Sequence, residues 1–318
     1  MTDTRCRRRN AAGAPVIVLV LCLSWTAVFV TPLSAAPLAV QEVAPGVYVH
    51  RGRHEEMNRD NQAGIANIGF IVGEQAVAVI DSGGSARQGA RLREAVTAVT
   101  DLPVRYVINT HMHPDHVFGN AAFKGDSPSF VGHAKLVRAL AARGEHYLRF
   151  LDEALGEDVA GSEVVFPTIT VDQSLELDLG NRLLRVTAHP TAHTDNDLTL
   201  YDVKTRTLWL GDLLFTERLP VIDGSLKGWL AVMRSLREVE ADRAIPGHGA
   251  VSAWPDALDD QENYLLSLLR EIRRLIKDGA TMEEAIEQLG ELQRPKWLLF
   301  EENHPRNVVT AFTELEWE

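Results

Sequence analysis

Cysteine is nearly absent from this chain. Its 318 residues include two, Cys6 and Cys22, both close to the N-terminus, too few for a disulfide scaffold or a thiolate zinc site. Positive charge is also scarce: 32 Lys and Arg face 44 Asp and Glu, for a net charge of -12. With no basic cluster beyond the N-terminus, such a chain repels phosphate backbones, so no nucleic-acid partner is expected. Internal repeats and low-complexity linkers are missing too, which excludes solenoid and disordered classes. What remains is 45% hydrophobic and 24% charged residues, the balance of a globular protein with a large core, together with 11 His. Any metal must therefore be held by imidazoles and carboxylates.

The N-terminus has the three-part form of an export signal. Arg5, Arg7, Arg8 and Arg9 precede an uncharged run over residues 11–30, which breaks at Thr31-Pro32-Leu33-Ser34-Ala35-Ala36, small residues that suit a leader peptidase. A retained membrane anchor is the rival reading, but the run is at the short end of the roughly 20 residues a span requires. The arginines would suit a twin-arginine exporter, yet Asn10-Ala11-Ala12 lacks the apolar residues that pathway favours, and the general secretory route stays equally open. Cys22 follows Leu21 rather than a small residue, so lipidation is not expected. Residues 1–36 are read as a signal peptide and the mature protein as periplasmic or secreted, free of the membrane and of cysteine.

From about Val40 short strands alternate with helices. Residues 47–49, 68–72 and 76–80 read as strands punctuated by Pro45-Gly46 and Gly73-Glu74. Leu92, Val96 and Val99 predict a helix over residues 85–99, followed by a buried-type strand at 104–108. A helix at 134–155, strands at 175–177, 183–187, 198–201 and 207–210, a helix at 229–239 and a strand at 243–245 complete an α/β layered sandwich over residues 37–252. Past Ala253, Leu258, Leu265, Leu268, Leu269, Ile272 and Ile276 mark one face of a long helix, and 282–289 and 308–315 read as two more. Residues 253–318 are thus a C-terminal helical extension of the same domain.

The chemistry is concentrated in Ile108-Asn109-Thr110-His111-Met112-His113-Pro114-Asp115-His116, directly after a predicted strand. In an extended segment His111 and His113 project to one side and can share an ion. Pro114 favours a helical turn after it, which lets Asp115 and His116 address a second position nearby. His193, Asp212 and His248 each follow a further predicted strand in a short polar turn. Together these side chains make seven ligands, enough for two metals with a shared carboxylate. Imidazole and carboxylate without thiolate suit zinc, with manganese or iron as alternatives.

In order and spacing, His111-Met112-His113-Pro114-Asp115-His116 with His193, Asp212 and His248 resembles the metallo-β-lactamase superfamily of metallohydrolases. The resemblance implies a four-layer αβ/βα sandwich, with His111, His113 and His193 on one zinc, Asp115, His116 and His248 on the other, and Asp212 between them. It also implies that Asp81 supports the site from behind the ligands. Asp212 stands where the best-known zinc β-lactamases carry a cysteine, which brings the chain closer to the glyoxalase II-like branch. His113, where flavodiiron proteins carry a glutamate, separates it from those. The leader, the segment Asp223-Gly224-Ser225-Leu226-Lys227-Gly228-Trp229, and the ending from His304-Pro305-Arg306-Asn307-Val308 through Glu314-Leu315-Glu316-Trp317-Glu318 are similar to the exported quinoprotein relay system zinc metallohydrolases, a SoxH-related group.

What this implies is an exported binuclear zinc hydrolase in which a metal-bridging hydroxide attacks an ester, thioester or amide-type carbonyl of a small molecule. Asp115 or Asp212 would take the proton, and a periplasmic quinoprotein dehydrogenase would be the associated partner. A β-lactam-hydrolysing enzyme is one alternative, and a mono-iron persulfide dioxygenase-like oxidoreductase held by His111, His193 and Asp212 is another. His304, Arg306 and Asn307, placed before the last predicted helix, are candidate substrate contacts, as are Tyr147 and His189. His133 reads as a capping or packing residue.

Overall fold

A computed structural model of the protein describes residues 1–3 and 36–318. The export-signal expectation and both cysteines fall on residues 4–35, outside the described residues. Seven strands form one mixed sheet in chain order: β1 (Gln41–Ala44), β2 (Val47–His50), β3 (Ile68–Val72), β4 (Val77–Ile80), β5 (Val104–Ile108), β6 (Ser129–His133) and β7 (Ile169–Val171). The first four run antiparallel as a meander and the last three join in parallel. Helix α1 (Ala86–Val99) links β4 to β5, the single turn α2 (Pro114–Val117) follows β5, and α3 (Leu136–Leu155) follows β6.

The second sheet holds β8 (Ser174–Asp178), β9 (Leu183–Ala188), β10 (Leu198–Asp202), β11 (Thr207–Phe215), β12 (Arg243–His248) and β13 (Ser252–Ala253), in the order β13-β12-β11-β10-β9-β8. Its one parallel pair, β11 with β12, is connected through α4 (Leu226–Arg237). Three helices end the chain: α5 (Asp259–Lys277), α6 (Met282–Leu289) and α7 (Phe300–Leu315).

Strand alternation builds the layers. Ile71, Ala78, Ile80, Ile108 and Val131 of the first sheet meet Val186, Leu200, Trp209 and Ile245 of the second in one core. The other face of the first sheet, with Ile68, Phe70, Val77 and Val79, packs under Leu92 and Val96 of α1. On the far side, Leu208 and Leu210 pack under Trp229 and Met233 of α4 and Leu265 and Leu268 of α5. The result is the helix, sheet, sheet, helix sandwich that the resemblance implies, with helices appended at its C-terminal end. Burial on both faces is why β3 and β4 read as continuous apolar runs instead of alternating ones. Among the described residues no helix is long and apolar enough to cross a membrane.

Two boundaries differ from the sequence reading. β11 continues five residues past Leu210 to Phe215, fully buried throughout, so Asp212 lies inside a strand and not in a turn after one. α7 begins at Phe300, not at 308, and carries Pro305 in its interior. A proline breaks the apolar pattern on paper, but buried Phe300, His304, Val308, Phe312 and Leu315 hold the helix against the core regardless.

The C-terminal helix also caps α4. Glu314 accepts hydrogen bonds from Ser225 Oγ at 2.7 Å and from the Leu226 amide at 2.7 Å, placing a carboxylate at a helix N-terminus. Glu314→Ala is expected to lower stability by about 1–2 kcal/mol, from the loss of those bonds and of the charge at the helix end. Urea denaturation of the two proteins measures it, and identical midpoints would show that the cap contributes nothing.

Candidate metal centre

The loop after β5 is built by polar contacts that leave it little freedom. Asn120 Nδ2 donates to Asn109 Oδ1 at 2.7 Å, and Asn109 Nδ2 returns a bond to Asn120 Oδ1 at 3.2 Å. Pro114 then starts α2 after the extended His113, so that Asp115 and His116 sit on its first turn. Behind the loop stands Asp81, fully buried and in the left-handed region with φ 50°. Its Oδ1 accepts from the Thr110 amide at 2.8 Å, and its Oδ2 accepts from Thr110 Oγ1 and His116 Nδ1, both at 2.8 Å.

Two glycines let the second sheet reach this loop. Gly211 has φ 51° and breaks the β11–β12 register, and a Cβ there would lie 2.6 Å from Thr110. A Cβ on Gly247 would lie 1.9 Å from Asp212 Oδ1. With both positions bare, Asp212 enters between the loop and His248, the last residue of β12.

The seven side chains singled out from the sequence form two adjoining groups, His111 with His113, His193 and Asp212, and Asp115 with His116 and His248, with the ligand atoms in each group within 4.8 Å of one another. In the first, His111 Nε2 and His193 Nε2 each lie 3.0 Å from His113 Nδ1, and Asp212 Oδ2 lies 3.7 Å from His111 Nε2 and 3.4 Å from His193 Nε2. In the second, His248 Nε2 is 3.3 Å and His116 Nε2 3.6 Å from Asp115 Oδ2. Asp212 faces both groups, at 3.2 Å from His116 Nε2 and 3.4 Å from His248 Nε2. Tetrahedral ligands bonded to zinc at about 2.0–2.1 Å are separated by roughly 3.3–3.4 Å, so these edges fit metal coordination.

The outward-facing nitrogens make the same case. Thr110 Oγ1, the Val221 carbonyl and the Ile65 carbonyl face Nδ1 of His111, His193 and His248 at 3.1, 2.7 and 2.8 Å. Asp81 takes His116 Nδ1, and Asp223 Oδ2 takes His113 Nε2 at 3.2 Å. Each ring thus spends one N–H on an oxygen and points its other nitrogen inward, as metal-ligating histidines do. Buried His116 Nε2 and Asp212 Oδ1 have no hydrogen-bond partner, although they lie 3.2 Å apart. Those orphaned atoms are what a cation would satisfy.

The two groups differ in protonation. Burial strips the proton from His111, whose pKa lies well below the usual value, and from His193, at about 4. Burial works against protonation of His116 as well, but Asp212, Asp115 and Asp81 outweigh it and hold its pKa well above normal. His248 is raised against the same opposition, chiefly by Asp212. Burial also opposes the charge on Asp223, yet His113 and Arg143 bring its pKa down to about 2.

Arg143 and Arg218 reach the centre or its mouth without having been marked by any motif, and Asp223 was marked only as the first residue of the Asp223–Trp229 segment, with no role in the site. Asp197, which closes the His193 loop by accepting from the Thr194 amide at 2.9 Å, was equally silent, and burial raises its pKa to about 7. Of the candidate substrate contacts, Arg306 and Tyr147 line the cavity in front of the ligands. His304 and Asn307 do not. His304 bonds Tyr264 Oη and the Leu289 carbonyl, and Asn307 bonds the Ile222 amide and the Pro220 carbonyl, so both knit α7 into the core. His189 lies on a separate cavity with Arg185 and Tyr201. His133 accepts from the Lys135 amide at 2.9 Å, a local turn contact.

Residues 61–248, which span every one of these ligands, match the family model described as the metallo-beta-lactamase superfamily. The chain belongs to the metallo-β-lactamase superfamily. Among curated superfamily relatives it is 21% identical over 260 residues to the linear primary-alkylsulfatase of Pseudomonas sp. (strain ATCC 19151), covering 69% of this chain and 49% of that one. It is 23% identical over 186 residues to the beta-lactamase-like protein 2 homolog of Caenorhabditis elegans, covering 58% of this chain and 56% of that protein. The chain therefore spans about half the length of the curated relatives it matches. Solved structures agree on the superfamily fold: TMB-1, with a TM-score of 0.58 at 18% identity over 73% of this chain and 98% of that one, and a metallo-beta-lactamase from Pontibacter korlensis, with 0.56 at 18% over 72% and 99%. That fold is one of metal-dependent hydrolases.

Two outcomes are expected from this geometry. Asp81→Asn leaves one acceptor oxygen where two now serve the Thr110 amide, Thr110 Oγ1 and His116 Nδ1, and removes the charge facing His116, so metal affinity measured against a chelator should fall about 10–100-fold. In the second group a metal must displace protons that His116 and His248 hold below their raised pKa values, so its affinity rises with pH. As the pH falls into the range where His116 and His248 take up protons, metal should leave the Asp115, His116 and His248 group before the His111, His113 and His193 group. Metal content of dialysed samples across that range reads the order of loss, and simultaneous loss would refute it.

Proposed function

We propose that the protein is a binuclear zinc hydrolase of small-molecule esters, thioesters or amides. The observation that carries this reading is Asp212, one buried carboxylate addressed by imidazoles from two separate ligand groups. Bound ions would supply Lewis-acid polarisation of the scissile carbonyl and acidification of water. His111, His113, His193 and Asp212 would hold one, and Asp115, His116, His248 and Asp212 the other.

The chain's own residues divide the remaining work. Asp212 uses both oxygens against imidazoles, whereas Asp115 approaches His116 and His248 through Oδ2 alone. Both carboxylates line the cavity, and Asp115, whose Oδ1 is not turned to an imidazole, is assigned the proton released on attack. Phe215 stacks on His248 with ring centroids 5.0 Å apart, and Trp229 meets His193 edge-on at 5.3 Å, which fixes both rings and keeps bulk water from behind them. Export through the leader and association with a periplasmic quinoprotein dehydrogenase belong to the same proposal, supported by the N-terminal and C-terminal sequence patterns.

The test is a metal count joined to a substrate panel. Purified protein is expected to carry two zinc per chain and to hydrolyse 4-nitrophenyl esters. Chelation should abolish turnover and zinc should restore it, with Asp115→Asn slower by about 10²–10⁴-fold in kcat. One iron per chain with oxygen consumption on a persulfide would instead establish the dioxygenase reading, and turnover confined to a chromogenic cephalosporin would establish a β-lactamase.

A further inference from the structure

Hydrolysis of an ester or amide moves two protons: one leaves the attacking water, and one must reach the departing oxygen or nitrogen if that atom is strongly basic. Asp115 is assigned the first. None of the seven ligands is left for the second, because the five imidazoles each point a nitrogen at a ligand group and the two carboxylates face those imidazoles. The cavity in front of them, about 600 Å³, is closed on one side by α3, which presents Arg143, His146 and Tyr147 to it. His146 is exposed, whereas Tyr147 is half-buried.

α3 is seated closely enough to hold that phenol in place. Leu136, Leu140, Leu151 and Leu155 bury one face of the helix, and a Cβ on Gly144 would lie 2.6 Å from Val164 Cγ2, so only glycine admits this approach. Tyr147 packs against the cluster that contains Met112 and Val117, on either side of the ligand loop's proline, and its ring meets that of His113 edge-on with centroids 6.4 Å apart. At its hydroxyl, Arg143 Nη1 donates to Tyr147 Oη at 3.4 Å. The same Nη1 donates to Asp223 Oδ2 at 2.7 Å, and that oxygen accepts from His113 Nε2 at 3.2 Å. Among the described residues Tyr147 Oη donates to nothing, so one lone pair meets a cation while the proton is free. Burial raises the pKa of the phenol above its ordinary value, and Arg143 pulls the other way without reversing it. At neutral pH Tyr147 is therefore a proton donor, with a guanidinium in place to meet the phenolate that donation leaves. Such a phenol passes its proton downhill to an alkoxide or an amide anion, but uphill to a thiolate or to 4-nitrophenolate, which depart unaided.

We propose that Tyr147 is the general acid of the hydrolysis, and that the natural leaving group is one that needs a proton, an alkyl alcohol or an amine and not a thiol. This rests on the hydrolytic reading above and adds the acid and the class of leaving group. As the C–O or C–N bond breaks, its electron pair takes the proton of Tyr147 Oη, and the phenolate rests against Arg143 until solvent returns a proton to it. The proton taken by Asp115 passes to solvent in the same cycle, so the products carry the atoms of the substrate and one water.

Two measurements test it on the zinc-loaded full chain. The first compares kcat for three pentanoates that share one acyl group, the ethyl ester, the S-ethyl thioester and the 4-nitrophenyl ester, in the wild type and in Tyr147→Phe, with thermal unfolding as the check on the variant. Tyr147→Phe should lower kcat for the ethyl ester by about 10²–10⁴-fold and change it by less than about 3-fold for the other two. A loss of equal size on all three, as a merely structural role or a contact with the carbonyl would give, overturns the proposal. So does an ethyl ester that is hydrolysed equally well by both proteins, or one that is inert while the thioester turns over. The second measurement needs no variant: in the wild type, replacing H₂O by D₂O should slow the ethyl ester more than the thioester, because only the former takes a proton from Tyr147 as its bond breaks. Equal slowing overturns the proposal even if Tyr147→Phe does not fold. If none of the three esters turns over with two zinc bound, the hydrolytic reading fails and takes the assignment with it. If all three turn over without a selective loss, that reading stands and the assignment of Tyr147 alone falls.

Discussion

A buried carboxylate, Asp212, is the constraint around which the molecule is arranged. It is 5% exposed and lies 3.2–3.7 Å from ring nitrogens of His111, His116, His193 and His248. An ionised group so placed is tolerated only where opposite charge or metal meets it. Here burial would raise its pKa, and His248, His116 and His111 reverse the effect. The imidazoles come from both sheets: His111 and His116 from the loop and turn after β5, His193 from the loop between β9 and β10, and His248 from the end of β12. The sandwich is therefore joined at this end by electrostatics, while its interior is joined by apolar packing around Trp209 and Ile71.

Around that pair of ligand groups lies a second set of oxygens with a different task. Asp81, Asp223, Thr110 Oγ1 and the carbonyls of Val221 and Ile65 each occupy the outer nitrogen of one ring. This fixes the ring orientations and leaves the other nitrogen of each ring facing inward. The unequal charge of the two groups follows from the same layout, because His116 sees Asp81, Asp115 and Asp212 together, whereas for His193 burial prevails over the one carboxylate that favours its proton most, Asp212. The cavity in front of them is lined by charges of both signs, Asp115, Asp212 and Asp223 together with Arg143, Arg218 and Arg306.

Where local chemistry carried a signal, the sequence was legible. The strand at 68–72 and the helix at 282–289 coincide with β3 and α6, the latter opened by a capping box of Thr281 and Glu284. Ser85 and Ser225 cap α1 and α4 within a few residues of the expected starts. β1, β6 and β7 escaped notice because they are short and half polar, and their pairing supplies what periodicity lacks. The start of α7 was hidden by Pro305, and the length of β11 by Gly211, residues that normally end elements. Arg143 and Arg218 carried no local pattern at all, and the segment that begins at Asp223 gave no sign of its contact with His113, since a lone charge becomes meaningful only through its distant neighbours.

The sequence alone determined the donor types and their order along the chain: imidazole and carboxylate without thiolate, clustered after β5 and repeated at His193, Asp212 and His248. It determined these because ligand identity is a property of single side chains and of spacing within one loop. Only the tertiary structure decided that Asp212 faces both groups, that His304 and Asn307 turn inward while Arg306 turns to the cavity, and that Tyr147 stands beside His113 with a proton to give. Those facts depend on which way each side chain points once two sheets and a distant C-terminal helix are packed together, and a linear pattern carries no information about direction across such contacts.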